Sequence, residues 1–188
     1  MHGPGSASWL LVALCAGSGA YCLLRMRSGV EEQRRTAGGE ALMGFGMAVM
    51  ALPAAVLDPP RGVWLAYAAV FAAAGLWVAW VAPRGPHHLH HVVGALAMVY
   101  MSAAMVAAPG GHSAHGGAGV PVVTGALLLY FAGHVLLSGA RLAPVGAVAG
   151  TGDVVSVRGA TALADRPELA LVCRLAMSMG MLAMLLAL

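Results

Sequence analysis

Lysine is absent from this 188-residue chain and charge of either sign is scarce, with ten basic residues, all arginine, against seven acids. Only 9% of the residues are charged while 60% are hydrophobic, and the mean hydropathy is +0.83. That balance excludes a soluble globular domain, and the formal charge of +3 is no nucleic-acid signal. Three cysteines are too few for a disulfide framework. Cys15 and Cys22 lie seven residues apart on one expected helix, about 10 Å along its axis and out of bridging range; they are expected to pack. Walker loops, dinucleotide-binding glycine fingerprints, HExxH and GxSxG are all missing, so hydrolysis and nucleotide chemistry have no support and catalysis is the lesser expectation. No basic residue precedes Trp9, and arginines follow the first apolar run rather than lead it. The run is therefore expected to stay as a helix and not to be a cleaved signal.

What is present is a series of apolar stretches long enough to cross about 30 Å of hydrocarbon. They predict an all-α, polytopic membrane protein: one transmembrane domain over 1–188, with helices at about 7–25, 38–57, 62–82, 89–108, 120–140 and 168–188. Asp58-Pro59-Pro60-Arg61-Gly62 and Pro83-Arg84-Gly85-Pro86 read as turns, and the stretch 141–167 as a long cytoplasmic linker. Arg25, Arg27, Arg34, Arg35, Arg84, Arg141, Arg158 and Arg166 fall on one side of this topology, against Arg61 alone on the other. Positive charge collects on cytoplasmic loops, so both termini are expected outside the cytoplasm. The four arginines around the first helix end read as a juxtamembrane anchor.

A repeat runs through the even-numbered segments. Glu40, Met43, Met47 and Met50 are spaced three, four, three; Arg174, Met177, Met181 and Met184 repeat that spacing. The fourth segment has His91, Gly94, Met98 and Met101, with Met105 one turn further. Such a set falls within an arc of roughly 80° on a helix. A repeat of this kind predicts a six-helix bundle of three hairpins in pseudo-threefold arrangement. Its even helices would run in parallel, with Glu40, His91 and Arg174 sharing one layer and methionine layers stacked above it. Met47 and Met181 are expected to line the same internal axis.

Thioether sulfur is a soft, neutral donor that favours Cu(I), especially beside imidazole or thiolate. Met43, Met47, Met50, His91, Met98, Met101, Met177, Met181 and Met184 are thus candidate copper ligands, with Cys173 a thiolate candidate near the head layer. Methionine is also a flexible packing residue, and packing is the competing expectation. Charge within a membrane segment is costly unless paired or hydrated, so Glu40 and Arg174 are expected to face each other. His87, His88, His90 and His91 cluster at the start of the fourth segment, His134 lies inside the fifth, and His112 and His115 occupy an outer glycine-rich loop near Met1 and His2. The histidines support an alternative in a membrane metalloenzyme or a haem-binding redox protein. A third alternative is a structural or assembly subunit without metal. Ser102, Ser178 and many of the 26 glycines read as helix-packing residues.

The stretches Glu40 to Met50, His91 to Met101 and Cys173 to Met184 resemble an uncharacterised family of small bacterial multi-pass membrane proteins with His/Met-rich motif helices. The resemblance spans nearly the whole chain and implies a bacterial plasma-membrane location. It also implies HxxMxxxMxxM motifs, whose leading histidine is replaced here by Glu40 and Arg174. Met43/Met47 and Met177/Met181 are locally similar to the MxxxM pairs of copper transporters, and the four-histidine run is similar to one HxxHH box of membrane di-iron desaturases. Lipid is the expected surroundings, and a second copy or a metalloprotein the expected protein partner.

Overall fold

The computed structural model describes residues 4–53, 56, 59–81, 86–107, 119–148 and 167–188. Among them every regular element is an α-helix: α1 (Pro4–Arg25), α2 (Glu31–Met50), α3 (Arg61–Val81), α4 (Pro86–Ala107), α5 (Pro121–Val148) and α6 (Pro167–Leu186). Four of the six open on proline, which suits a first helical position because its fixed φ is helical and its missing N–H would have no intrahelical partner there.

The second helix lies seven residues nearer the N-terminus than expected, starting at 31 instead of 38 and ending at 50 instead of 57. Its first turn is charged, which a hydropathy reading passes over. Glu31 accepts a hydrogen bond from Arg35 Nε at 2.8 Å and pairs with Arg34. The Arg35 bond, with both arginines beside it, holds the Glu31 carboxyl below the usual carboxylate range, and an acid suits this end of the helix dipole. The other end closes as Ala51 N–H bonds Met47 O at 2.9 Å. Pro53 then has no N–H and restricts Leu52. The expected linker over 141–167 is also corrected: α5 continues to Val148, with Ala140, Arg141, Leu142 and Ala143 favouring the helix up to Pro144. Residues 149–166 of that linker, and the His112/His115 loop with Met1 and His2, lie outside the described residues.

Among the described residues five helices are long and apolar enough to cross a membrane: Ser6–Arg25, Arg61–Trp80, Leu89–Ala107, Pro121–Ala140 and Leu169–Leu186. The exception, α2, is the most enclosed, with Ala37, Glu40, Ala41, Met43, Gly44, Gly46, Met47 and Ala48 all buried. Polar groups at membrane depth are tolerated where they face the interior of a bundle. The outer helices α3 and α5 instead turn Leu76, Trp77, Trp80, Leu129 and Leu136 outward.

Three hairpins, α1/α2, α3/α4 and α5/α6, are each packed along their length, and α2, α4 and α6 touch one another pairwise at the centre. The register of these contacts makes the three inner helices parallel. Glu40 meets His91 and Arg174, Gly94 lies against Met43 and Met181, Gly46 against Met98, and Gly180 against Met47. Each outer helix also leans on the inner helix of a neighbouring hairpin. Leu11 and Cys15 of α1 reach Gly180 on α6; Tyr67 and Phe71 of α3 reach Gly46 on α2; His134 of α5 stacks on His90 of α4. This cyclic pattern is the pseudo-threefold arrangement, and it sets both ends of the described chain at one end of the bundle, the tail end. The charged end is the head end.

The structure also extends the repeat. Four residues after each head stand Gly44, Ala95 and Ser178; six after stand Gly46, Ala97 and Gly180, and all six are buried. Small residues at these positions let helices approach closely. A Cβ on Gly44 would lie 2.8 Å from the backbone of Gly19, and one on Gly75 would lie 3.0 Å from Ala95 Cβ.

Candidate metal centre

The head layer is a buried ion cluster. Glu40 is completely buried and Arg25, at the end of α1, is 1% exposed. Arg174 Nε donates to Glu40 Oε1 at 2.7 Å, Arg25 Nη1 bonds Oε2, and the Cys22 thiol approaches Oε2 at 3.7 Å. His91 Nε2 stands 3.8 Å from Oε1, beyond hydrogen-bonding distance. Glu40 and Arg174 therefore face each other, as their equivalent repeat positions predict. The assignment of Arg25 to a juxtamembrane anchor is corrected: it is the second cation on Glu40, not a surface charge. A signal for it exists in the sequence, since Cys15, Ser18, Cys22 and Arg25 carry the same three, four, three spacing and all four are buried. Among the described residues two guanidiniums share the Glu40 carboxylate, and Arg25 Nε has no hydrogen-bond partner.

Beside this layer lies an aromatic and imidazole group. The His90 and His134 rings stack with centroids 4.0 Å apart and planes 13° apart. Tyr130 Oη stands 3.5 Å from His90 Nδ1, and Ser178 Oγ 3.4 Å from Nε2. His90 and His91 thus serve different neighbours, His90 on the α5 and α6 side and His91 toward Glu40. The side chains of His87 and His88 lie outside the described residues. Among the described residues no three His, Cys, Asp or Glu side chains stand together as a metal-holding group, so the soft donors available are chiefly thioethers.

Those thioethers form a column. Met43, Met47, Met98, Met101, Met177, Met181 and Met184 are all buried in one cluster with Cys15, Cys22, Phe71 and Phe131. Met50 packs against it half-buried, and Met105 is 36% exposed at the tail end. Where the column meets the head layer there is a cavity of about 20 Å³, room for one water-sized occupant. Met43, Met177 and Met181 line it with His90 and His91, over Phe131 and Arg174. Gly94 completes the lining and explains why one repeat lacks its first methionine. A Cβ at Gly94 would lie 2.9 Å from Met43 Cε, so a larger residue would displace Met43 from the cavity wall. Cys173 is half-buried on α6 within electrostatic reach of Arg25 and Glu40, outside this lining.

A family model described as a domain of unknown function (DUF5134) matches residues 32–188. The chain belongs to this family. The DUF5134 match takes in α2 to α6, and so the three repeat helices and the cavity, whereas α1, which supplies Arg25 and Cys15, precedes it. No curated protein and no solved structure matches the chain.

Proposed function

We propose that this DUF5134 protein is a bacterial plasma-membrane protein that binds Cu(I) and holds it for a partner, with both termini extracytoplasmic. The observation that carries the reading is the cavity, where Met43, Met177, Met181, His90 and His91 line space for a single ion beside Gly94, Phe131 and an Arg174 that is paired to Glu40. Neutral soft donors suit a soft monovalent ion and discriminate against hard cations.

Holding is favoured over conduction by the head layer. A cation moving from the cavity toward the head end meets the guanidiniums of Arg25 and Arg174 on Glu40, and like charge opposes its passage. The ion's way in and out is then the tail end, past Met101 and Met184, where a second copy or a metalloprotein would exchange it. A cavity of about 20 Å³ suits an ion and not a macrocycle, which favours copper over haem.

Purified from copper-supplemented cells, the protein is expected to carry stoichiometric copper and to show no haem absorption. Replacing Met43 and Met177 together by Leu keeps volume and apolarity, at a stability cost usually below about 1.5 kcal/mol per site. Cu(I) affinity, measured by competition with a colorimetric chelator, should fall at least as far as the roughly 10–100-fold that follows loss of an outer-shell partner. Copper-free wild-type protein that takes up no Cu(I) would leave a structural or assembly subunit.

A further inference from the structure

Each inner helix leaves one strip uncovered. Five residues after the repeat heads stand Phe45, Leu96 and Met179, which are 38%, 60% and 51% exposed, so the bundle carries three related apolar faces. They differ at the head end. Five residues before the heads stand Arg35, Pro86 and Leu169, so only on α2 does the face begin in a cation.

On α2 the exposed residues Glu31, Arg35, Gly39, Leu42, Phe45 and Val49 follow one another at intervals of four, four, three, three and four, which lays them along one side of the helix. Neighbouring helices wall this strip. A Cβ on Gly19 of α1 would lie 3.2 Å from the Phe45 ring, while Tyr67 and Phe71 of α3 close on the adjacent Gly46. Gly39 is open, since a Cβ there would meet nothing within 4 Å. The strip is therefore a groove with α2 as its floor.

Depth and charge identify the occupant. The apolar span of α1 ends at Arg25, which bonds Glu40, so Glu40 marks the head-side limit of the hydrocarbon. Along the helix axis Val49 lies about 14 Å inside that limit and Arg35 about 8 Å outside it. The first distance fits the acyl region of one leaflet, about 15 Å, and the second reaches headgroup depth. Arg35 and Arg34 are 73% and 52% exposed and share one carboxylate, Glu31. A guanidinium has five N–H donors, of which Glu31 takes Nε of Arg35, and the planar fork that remains matches a phosphate. Over residues 26–36 three arginines, Arg27, Arg34 and Arg35, stand against Glu31 and Glu32, a balance that favours an anionic headgroup.

We propose that this groove seats one anionic phospholipid of the head-side leaflet, its phosphate on Arg35 beside Arg34, its glycerol over Gly39 and one acyl chain along Leu42, Phe45 and Val49. The proposal rests on the membrane location and is independent of copper.

The test is native mass spectrometry of the full-length protein in detergent, titrated with phosphatidylglycerol, with phosphatidylcholine of the same chains and with inorganic phosphate. Wild type should bind one phosphatidylglycerol at least about fivefold more tightly than phosphatidylcholine, the worth of one basic residue near a bilayer surface, and should not retain inorganic phosphate. Arg35→Gln should lower phosphatidylglycerol affinity about fivefold and leave phosphatidylcholine unchanged. Glu31→Gln removes the competing carboxylate and should raise phosphatidylglycerol affinity, a gain that a merely structural ion pair would not give. Gly39→Leu, which fills the groove without a clash, should weaken both lipids. All three positions are exposed, so lipid-free melting temperatures should stay near the wild-type value. Equal affinity of wild type for the two lipids, or an unchanged preference in Arg35→Gln, overturns the proposal. So does a two-chain species that excludes lipid and is lost in Gly39→Leu, and so does inorganic phosphate held as tightly as phosphatidylglycerol.

Discussion

Glu40 shows how much one buried residue can carry. Its two oxygens are divided between Arg174 and Arg25, and removing one partner of a buried pair costs far more than the pair's own net worth, because it strands an uncompensated charge. Glu40→Ala strands two guanidiniums and should cost about 3–5 kcal/mol. Arg25→Ala leaves Glu40 its Arg174 partner and should cost less. Arg174→Ala should cost least, because Arg174 is already 22% exposed. Thermal unfolding of the three variants in detergent checks the order; Glu40→Ala as stable as wild type would mean that the layer is hydrated and carries no buried charge. Gly94 makes the complementary point, since the missing side chain leaves the space that Met43, Met177 and Met181 border.

Between helices, the inner and outer members obey different rules. An inner helix here is read by its small positions four and six residues after the head, and an outer helix by the apolar face it turns away from the bundle. Gly44 and Gly17 separate these effects. A Cβ on Gly44 meets the Gly19 backbone, which cannot yield as a side-chain tip can, whereas one on Gly17 meets nothing within 4 Å. Gly44→Ala should therefore destabilise the protein by roughly 1–3 kcal/mol, the usual cost of overpacking. Gly17→Ala should be neutral or stabilising by up to about 1 kcal/mol through helix propensity. Equal melting temperatures for the two would remove the close α1/α2 approach from the account.

For the whole molecule, the six described helices in three antiparallel hairpins place both ends of the described chain together, and the arginine distribution predicts that those ends lie outside the cytoplasm. A C-terminal alkaline phosphatase fusion at Leu188 should be active and a green fluorescent protein fusion there dark; the reverse would invert the predicted topology and, with it, the proposed face of copper entry. α2 shows why orientation and depth belong to this scale. Its charged first turns and buried Glu40 make it the helix least suited to lipid, and its polar face is held inside by packing on α1, α4 and α6.

The repeat was legible in the chain because helical periodicity turns spacing into direction: residues three, four and three apart must share a face wherever the helix ends up. That reasoning reached the shared Glu40, His91 and Arg174 layer, the buried column of methionines and the hairpin plan. It did not reach Arg25, whose position after an apolar run looks the same whether it meets water or a carboxylate. Nor did it reach the start of α2, because hydropathy discounts charged turns that ion pairs and neighbouring helices stabilise. The sequence alone determined which side chains each helix presents together, a local matter of 3.6 residues per turn. Only the tertiary structure decided what those faces meet, that Gly94 borders the cavity between Met43, Met177 and Met181 and that Arg25 and Arg174 share Glu40, because such meetings depend on side chains far apart in the chain.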